Sequence, residues 1–176
     1  SRSPRWMLEN EAVPIMELCH RYNVPLIIND RVNVAAEIHA DGVHIGQSDM
    51  DAAKARKILG PDSIIGVTAK TVEQALKAQA EGADYLGSGA VFGTTTKSDA
   101  KPMDIDTLNA ICDSVDIPVV AIGGINNDNV MKLSGSRIAG IAVVSGIFDN
   151  KDIKGVNTES IRKTQTLVSQ ETYLFD

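Results

Sequence analysis

The chain is short of cysteine, of positive charge and of long apolar runs, and each shortage removes a class of protein. Its two cysteines, Cys19 and Cys112, lie far apart in apolar helical contexts. Neither a disulfide framework nor a cysteine-held metal can be built from them, which suits a reducing compartment and makes a cytoplasmic location the expectation. No apolar segment approaches the roughly 18 residues that cross a bilayer, and Ser1-Arg2-Ser3-Pro4-Arg5-Trp6 has no apolar centre of the signal-peptide kind, so no membrane partner is expected. Lys and Arg number 17 against 23 Asp and Glu, a net charge of -6. A general nucleic-acid binder takes its affinity from clustered lysine and arginine, so nucleic acid is set aside and any bound anion must be held locally. No dinucleotide fingerprint and no Ser-His-acid arrangement for nucleophilic catalysis stands out. The first residue is Ser1, not Met, so a processed or cut product is expected.

What is present is ordinary for one soluble globular domain: 176 residues, 43% hydrophobic and 23% charged. The stretch from Pro25 to Met50 organises the rest. Leu26-Ile27-Ile28 is an apolar run that stops at Asn29-Asp30-Arg31, as a buried parallel strand does at a working surface. Val32, Ala35, Ala36 and His39 follow at helical spacing as far as Ala40, Asp41-Gly42 breaks the pattern, and Val43-His44-Ile45 begins a second strand that ends in Gly46-Gln47-Ser48-Asp49. Neighbouring parallel strands lie roughly 4.8 Å apart, so Asp30 and Asp49, at like ends of two of them, can share a divalent cation such as magnesium. The plainer reading gives Asp30 a salt bridge to Arg31 or a helix cap, and makes Asp49 a helix N-cap.

The rest of the chain repeats this alternation. The spacing predicts a helix over 11–22 with Ala12, Ile15, Met16, Leu18, Cys19 and Tyr22 on its apolar stripe, a second over 52–59, and a strand over 64–68. Thr71-Val72-Glu73-Gln74 has the form of a capping box for a helix running to Gly82. Tyr85 to Phe92 reads as a strand that enters Gly93-Thr94-Thr95-Thr96-Lys97. A helix over 105–115, a strand over 118–122, a short helix capped by Asn127 or Asp128 with Val130, Met131 and Leu133 inward, a strand over 138–144 and a helix over 158–169 complete six strands. Such alternation calls for a parallel sheet covered by helices, and the motifs Ala40-Asp41-Gly42, Gly82-Ala83-Asp84 and Ala139-Gly140 echo one reused unit.

Polar residues gather after the strands, where barrels and doubly wound sheets both place their sites. Thr94, Thr96 and Lys97 can converge on a phosphate or form a solvated connector. Gly123-Gly124 and Val144-Ser145-Gly146 offer backbone amides to a phosphate or simply turn the chain. His44, between Val43 and Ile45, faces the site or is a satisfied core histidine; Gln47 orients a polar substrate or satisfies loop backbone. His20 and His39 look structural, and Cys19 and Cys112 look like core.

In Pro25 to Arg31, Ala40 to Gln47 with Asp49, Ala83 to Gly87 through Thr94 to Lys97, and Val119 to Ile125, the sequence resembles the thiamin phosphate synthase family over about Glu11 to Phe148. The resemblance implies a (β/α)8 TIM barrel and a magnesium-dependent transferase. Such an enzyme joins hydroxymethylpyrimidine diphosphate to hydroxyethylthiazole phosphate with release of diphosphate. By position it implies Asp30 and Asp49 as magnesium ligands and Asn29 and Lys97 as contacts to the pyrimidine and diphosphate. It also implies Thr68, in place of a serine, as a diphosphate contact, Thr94, Thr96, Gly124, Val144 and Ser145 as thiazole-phosphate contacts, and His44 as a site residue. The family's chain begins with two further strands, the second bearing Gln-x-Arg-Glu-Lys, and Ser1 to Asn10 holds no such motif. An N-terminally incomplete barrel is therefore expected, its missing part supplied by a further segment, another chain or a partner, and a homo-oligomer is a further expectation. A related thiazole tautomerase and a non-catalytic binding or regulatory remnant are the other readings; the first is expected to lack the paired carboxylates.

Overall fold

The computed structural model describes residues 11–93 and 102–143 and the backbone of 173–175. Helix α1 (Val13–Arg21) carries Pro14 in its first turn, where the missing N–H interrupts no helical bond. Strand β1 (Leu26–Asn29) leads to α2 (Val32–Ile38), which buries Val32, Val34, Ala35 and Ile38 and ends at His39 with φ 56°, a left-handed stop. Strand β2 (Gly42–Ile45) is buried along its whole length. Helix α3 (Ala52–Leu59) starts at Asp51, whose carboxylate accepts from Lys54 N at 2.8 Å. Then come β3 (Ile64–Thr68), α4 (Val72–Ala80) and β4 (Tyr85–Gly89). The capping box forms at α4, with Gln74 N donating to Thr71 Oγ1 at 3.2 Å and the Gln74 side chain accepting from Lys70 N at 2.8 Å. Helix α5 (Ile105–Ser114) is capped by Asp104, and β5 (Val119–Ile122), a 3₁₀ turn (Val130–Leu133), β6 (Gly140–Ala142) and β7 (Tyr173–Phe175) follow.

These residues form two compact units. The first holds the described residues up to Thr68, those from Lys77 to Tyr85, and β7; the second holds Ala69 to Leu76 and the described residues from Leu86 to 143. In the first unit the strand order is β3-β2-β1-β7, every pairing parallel, with Ile27 opposite Gly42, Asn29 opposite His44, and His44 opposite Gly66. Leu26, Ile27, Val43, Ile45 and Ile65 are almost wholly buried, each worth about 1.5–3 kcal/mol of transfer free energy. In the second unit β5 lies between β4 and β6, again parallel, over a core that includes Leu86, Leu108, Ile111 and Ala121.

The Ala-Asp motif has a structural meaning at the N-terminal ends of the first unit's strands. Just before β2, Asp41 Oδ2 accepts from Leu26 N at 2.7 Å and faces His20 Nε2 at 2.8 Å. Just before β4, Asp84 Oδ2 accepts from Ile65 N at 2.7 Å and from Arg56 Nη2 at 2.6 Å. Arg56 also donates to the carbonyls of Pro61, Ser63 and Gly82, so one guanidinium gathers four acceptors beneath the sheet. Each aspartate thus closes a backbone N–H at the start of a neighbouring strand, where no ladder partner reaches it.

Several expectations change. No residue of α1 is buried: Leu18 and Tyr22 are exposed and Cys19 is half-exposed, so its apolar stripe is not core among the described residues. His39 is an exposed helix stop, not part of a buried stripe. Strand β4 ends at Gly89 instead of Phe92, because Val91 N and Phe92 N turn to the carbonyls of Ile122 and Gly123. Asn129 stands at the cap position of the 3₁₀ turn, without a side-chain cap bond, in place of Asn127 or Asp128; Leu133 is buried but Met131 is exposed. Strand β6 covers only Gly140–Ala142, and β7 is a seventh strand, too short for a periodic signal. The helix expected over 158–169 lies outside the described residues.

Candidate active site

Asn29, Asp30, Gln47, Asp49 and Thr68 all belong to the first unit and follow or end β1, β2 and β3. Asp30 is held one step past β1: its N–H donates to His44 O at 2.8 Å and its Oδ2 accepts from Asn29 Nδ2 at 3.0 Å. Its φ is 58°. Left-handed backbone is uncommon outside glycine, and among the described residues the other two such cases, Asn23 and His39, follow helices. Strain of this kind collects at functional sites, and here it falls on an exposed carboxylate just past the strand.

Asp49 is anchored by one oxygen. Its Oδ2 accepts from Gly46 N at 2.8 Å; its other oxygen has no hydrogen-bond partner among the described residues, and the side chain is exposed. The N-cap of α3 is Asp51, and α2 is capped at Arg31 with no side-chain cap bond, so neither Asp30 nor Asp49 is a helix N-cap. Gln47 Nε2 donates to Thr68 O, which makes it a tie between the ends of β2 and β3.

His44 is buried, at 7% exposure, and both ring nitrogens are engaged. Nδ1 lies 3.0 Å from the Tyr85 hydroxyl and Nε2 lies 3.0 Å from Thr68 Oγ1. The Tyr85 ring tilts against the imidazole with centroids 5.5 Å apart. It fits because residue 66 is glycine: a Cβ there would fall 2.1 Å from Tyr85 Cζ. Burial pushes the Tyr85 phenol far above its ordinary pKa, so it keeps its proton. Histidine is therefore both a satisfied core residue and, through Thr68, a neighbour of the strand ends.

In the second unit, the Gly123-Gly124 turn is explained by close packing. Gly124 has φ 65°, and a Cβ on it would meet Gly93 O at 2.4 Å and Phe92 O at 2.9 Å. Its carbonyl accepts from Asn129 Nδ2 at 2.8 Å. The glycine is demanded by the approach of the 92–93 backbone, so the turn needs no ligand to account for it.

Residues 3–147 match the family model described as thiamine monophosphate synthase. The chain belongs to that family. It is similar to the thiamine-phosphate synthase of Ruminiclostridium cellulolyticum, 55% identical over 143 residues that cover 81% of this chain and 68% of the relative. Thiamine-phosphate synthase 2 of Streptococcus pneumoniae is 47% identical over 158 residues, covering 90% and 75%. Among solved structures, thiamine phosphate pyrophosphorylase from Pyrococcus furiosus superimposes with a TM-score of 0.83 at 37% identity, covering 96% of this chain and 81% of that one. The fold is of the TIM-barrel class, with parallel strands alternating with helices.

Of the residues expected at the site, the first unit holds Asn29, Asp30, His44, Asp49 and Thr68, and the second holds Gly124. Thr94, Thr96, Lys97, Val144 and Ser145 lie outside the described residues. Among the described residues no group of three or more His, Cys, Asp or Glu can hold a metal ion. Magnesium takes one or two carboxylates and fills its remaining positions with water and phosphate oxygens. The oxygen-only donors Asp30 and Asp49, with Asp49 keeping one oxygen unengaged among the described residues, fit such an ion. No described helix is long and apolar enough to cross a membrane. Tyr85 escaped the sequence reading because a tyrosine opening an apolar strand reads as packing; the signal was Gly66, a glycine inside a strand.

Proposed function

We propose that the chain is a transferase that makes thiamin phosphate from hydroxymethylpyrimidine diphosphate and hydroxyethylthiazole phosphate, with magnesium held by Asp30 and Asp49. The observation that carries the reading is the end of β1. Asp30 is set in left-handed backbone by the His44 carbonyl, exposed, beside a strand whose own exit supplies Asp49. Substrates are small and phosphorylated, and their anionic groups are recognised locally by a chain of net charge -6.

Magnesium, when bound, supplies positive charge against the departing diphosphate. The chain's own groups do the rest. Thr68 offers a hydroxyl to the diphosphate, and Lys97 an ammonium. Asn29, whose amide also steadies Asp30, presents a carboxamide to the pyrimidine. Thr94, Thr96, Gly124, Val144 and Ser145 take the thiazole phosphate. Leaving of diphosphate generates a pyrimidine carbocation that the thiazole nitrogen captures, so these donors gain strength as charge grows on the leaving oxygens, and water must be kept away until capture. The paired carboxylates favour this reaction over a tautomerase of the same fold.

The test is formation of thiamin phosphate from both substrates, read as fluorescent thiochrome after oxidation, with magnesium titrated against a chelator. Product that requires magnesium and disappears in Asp30→Asn is the expected result. Asparagine is chosen because it tolerates left-handed backbone, so the variant removes charge and keeps the turn. A folded chain that makes no product at any magnesium concentration overturns the reading.

A further inference from the structure

We propose that Tyr85 is a positioning residue that fixes the direction of hydrogen bonding through His44, so that Thr68 presents its hydroxyl proton outward, to the anionic group of the substrate. This rests on the proposed function in one respect, that the group met by Thr68 is the diphosphate.

The three side chains form a line through the first unit: Tyr85 at the start of β4, His44 within β2 and Thr68 at the end of β3. His44 stands opposite Gly66 in the β2–β3 register, and the missing side chain at Gly66 is the slot in which the phenol lies. The hydroxyl of Tyr85 has one hydrogen-bond partner among the described residues, His44 Nδ1 at 3.0 Å. It carries a single proton, and with Tyr85 buried at 9% exposure the acceptor within reach is His44 Nδ1.

Two arrangements satisfy the distances. If Nδ1 carried the imidazole proton, it would donate to the Tyr85 oxygen and leave the Tyr85 proton buried without an acceptor. If Nδ1 is bare, Tyr85 donates to it and no proton is orphaned. An unmet buried donor is penalised by about a factor of ten or more in population, so the second arrangement holds. The proton of neutral His44 then sits on Nε2 and is donated to Thr68 Oγ1. With its oxygen already accepting, Thr68 is left with an O–H to give. The reverse polarity would turn the Thr68 proton inward to Nε2 and offer the diphosphate only lone pairs, a repulsive contact. Direction of hydrogen bonding set at the start of β4 is therefore read out at the end of β3.

The first experiment is a long-range proton–nitrogen spectrum of the full chain with ¹⁵N-labelled histidine, His44 being identified by the signal lost in His44→Gln. The expected spectrum shows Nε2 protonated and Nδ1 bare. A protonated Nδ1 overturns the proposal. Kinetics supply the second reading. Tyr85→Phe lowers kcat/KM for the pyrimidine diphosphate about fivefold and leaves KM for the thiazole phosphate unchanged. In a Thr68→Val background the same change adds nothing, because the group it orients is gone. His44→Gln, whose amide can still donate toward Thr68, retains more activity than His44→Leu. Equal loss for both substrates, or additivity with Thr68→Val, would show a purely structural role and overturn the proposal. Failure of the wild-type chain to make thiamin phosphate sinks the proposed reaction instead, and the spectrum still decides the polarity of the line.

Discussion

Two pairs of aspartates sit at opposite ends of the first unit's strands and are treated in opposite ways. At the N-terminal ends, Asp41 and Asp84 each take a backbone N–H from a neighbouring strand and stand against a base, His20 or Arg56. At the C-terminal ends, Asp30 and Asp49 are exposed, and their carboxylates accept from groups within their own turns, the Asn29 amide and the Gly46 N–H. Four identical side chains thus divide by environment. A carboxylate that ties neighbouring strands together contributes stability; an exposed one at a strand's exit suits a cation. In strand-helix alternation this is the usual division between a stabilising end and a reacting end.

The sharpest way to break the contrast is to neutralise one member of each pair. Asp30→Asn should reduce thiamin phosphate formation about a hundredfold or more, while its denaturation midpoint moves by less than the equivalent of about 0.5 kcal/mol. Asp84→Ala should do the reverse. Losing its carboxylate leaves Ile65 N–H and Arg56 without their acceptor, which costs about 2 kcal/mol in chemical denaturation, and turnover per folded molecule stays near wild type. Asp41→Ala follows the same pattern at about 1 kcal/mol, since the group it serves is the Leu26 N–H and an exposed histidine. Activity loss in Asp84→Ala with stability intact would collapse the distinction.

The smallest effect concerns a third kind of aspartate, the exposed helix caps. Asp104 is held below the ordinary carboxylate range by the Thr107 N–H and hydroxyl, and Asp51 by Lys54, through its side chain and then its N–H. A carboxyl whose pKa is lower folded than unfolded stabilises above the unfolded value, and that contribution drains away as pH falls through the folded one. Melting temperature should therefore decline below about pH 4, and Asp104→Asn, which keeps a cap oxygen but cannot titrate, should make that decline shallower. An unchanged acid limb would remove Asp104 from the account.

How far this division could be read from residues alone differs from place to place. The ends of β1 and β2 were legible because apolar runs stop abruptly at Asn29-Asp30 and Gly46-Gln47, and a strand cannot bury those groups. The capping box at Thr71 was legible because both partners lie within four residues. The cap at Asp51 was not legible, because Asp49 two residues earlier can equally precede a helix and only backbone geometry chooses. Extent of burial was the other blind spot: Leu18 and Tyr22 have helical spacing, yet spacing says which residues share a face and not whether anything covers it. Strand β4 was overrun by three residues because Ala90, Val91 and Phe92 continue its apolar character while their backbone has already turned toward β5. Tyr85 was hidden for a different reason. Its role depends on contacts with residues 19 and 41 positions away, and no local pattern encodes these.

The empty place at Gly66 also constrains how this sequence can change. Any side chain there collides with the Tyr85 ring, and shortening Tyr85 alone leaves a hole beside a buried imidazole. Single steps away from the present pair should each cost stability, one by a clash and the other by a cavity. Positions 66 and 85 should therefore be inherited as a unit, and a library randomised at both should return active survivors that keep glycine at 66 wherever tyrosine stands at 85.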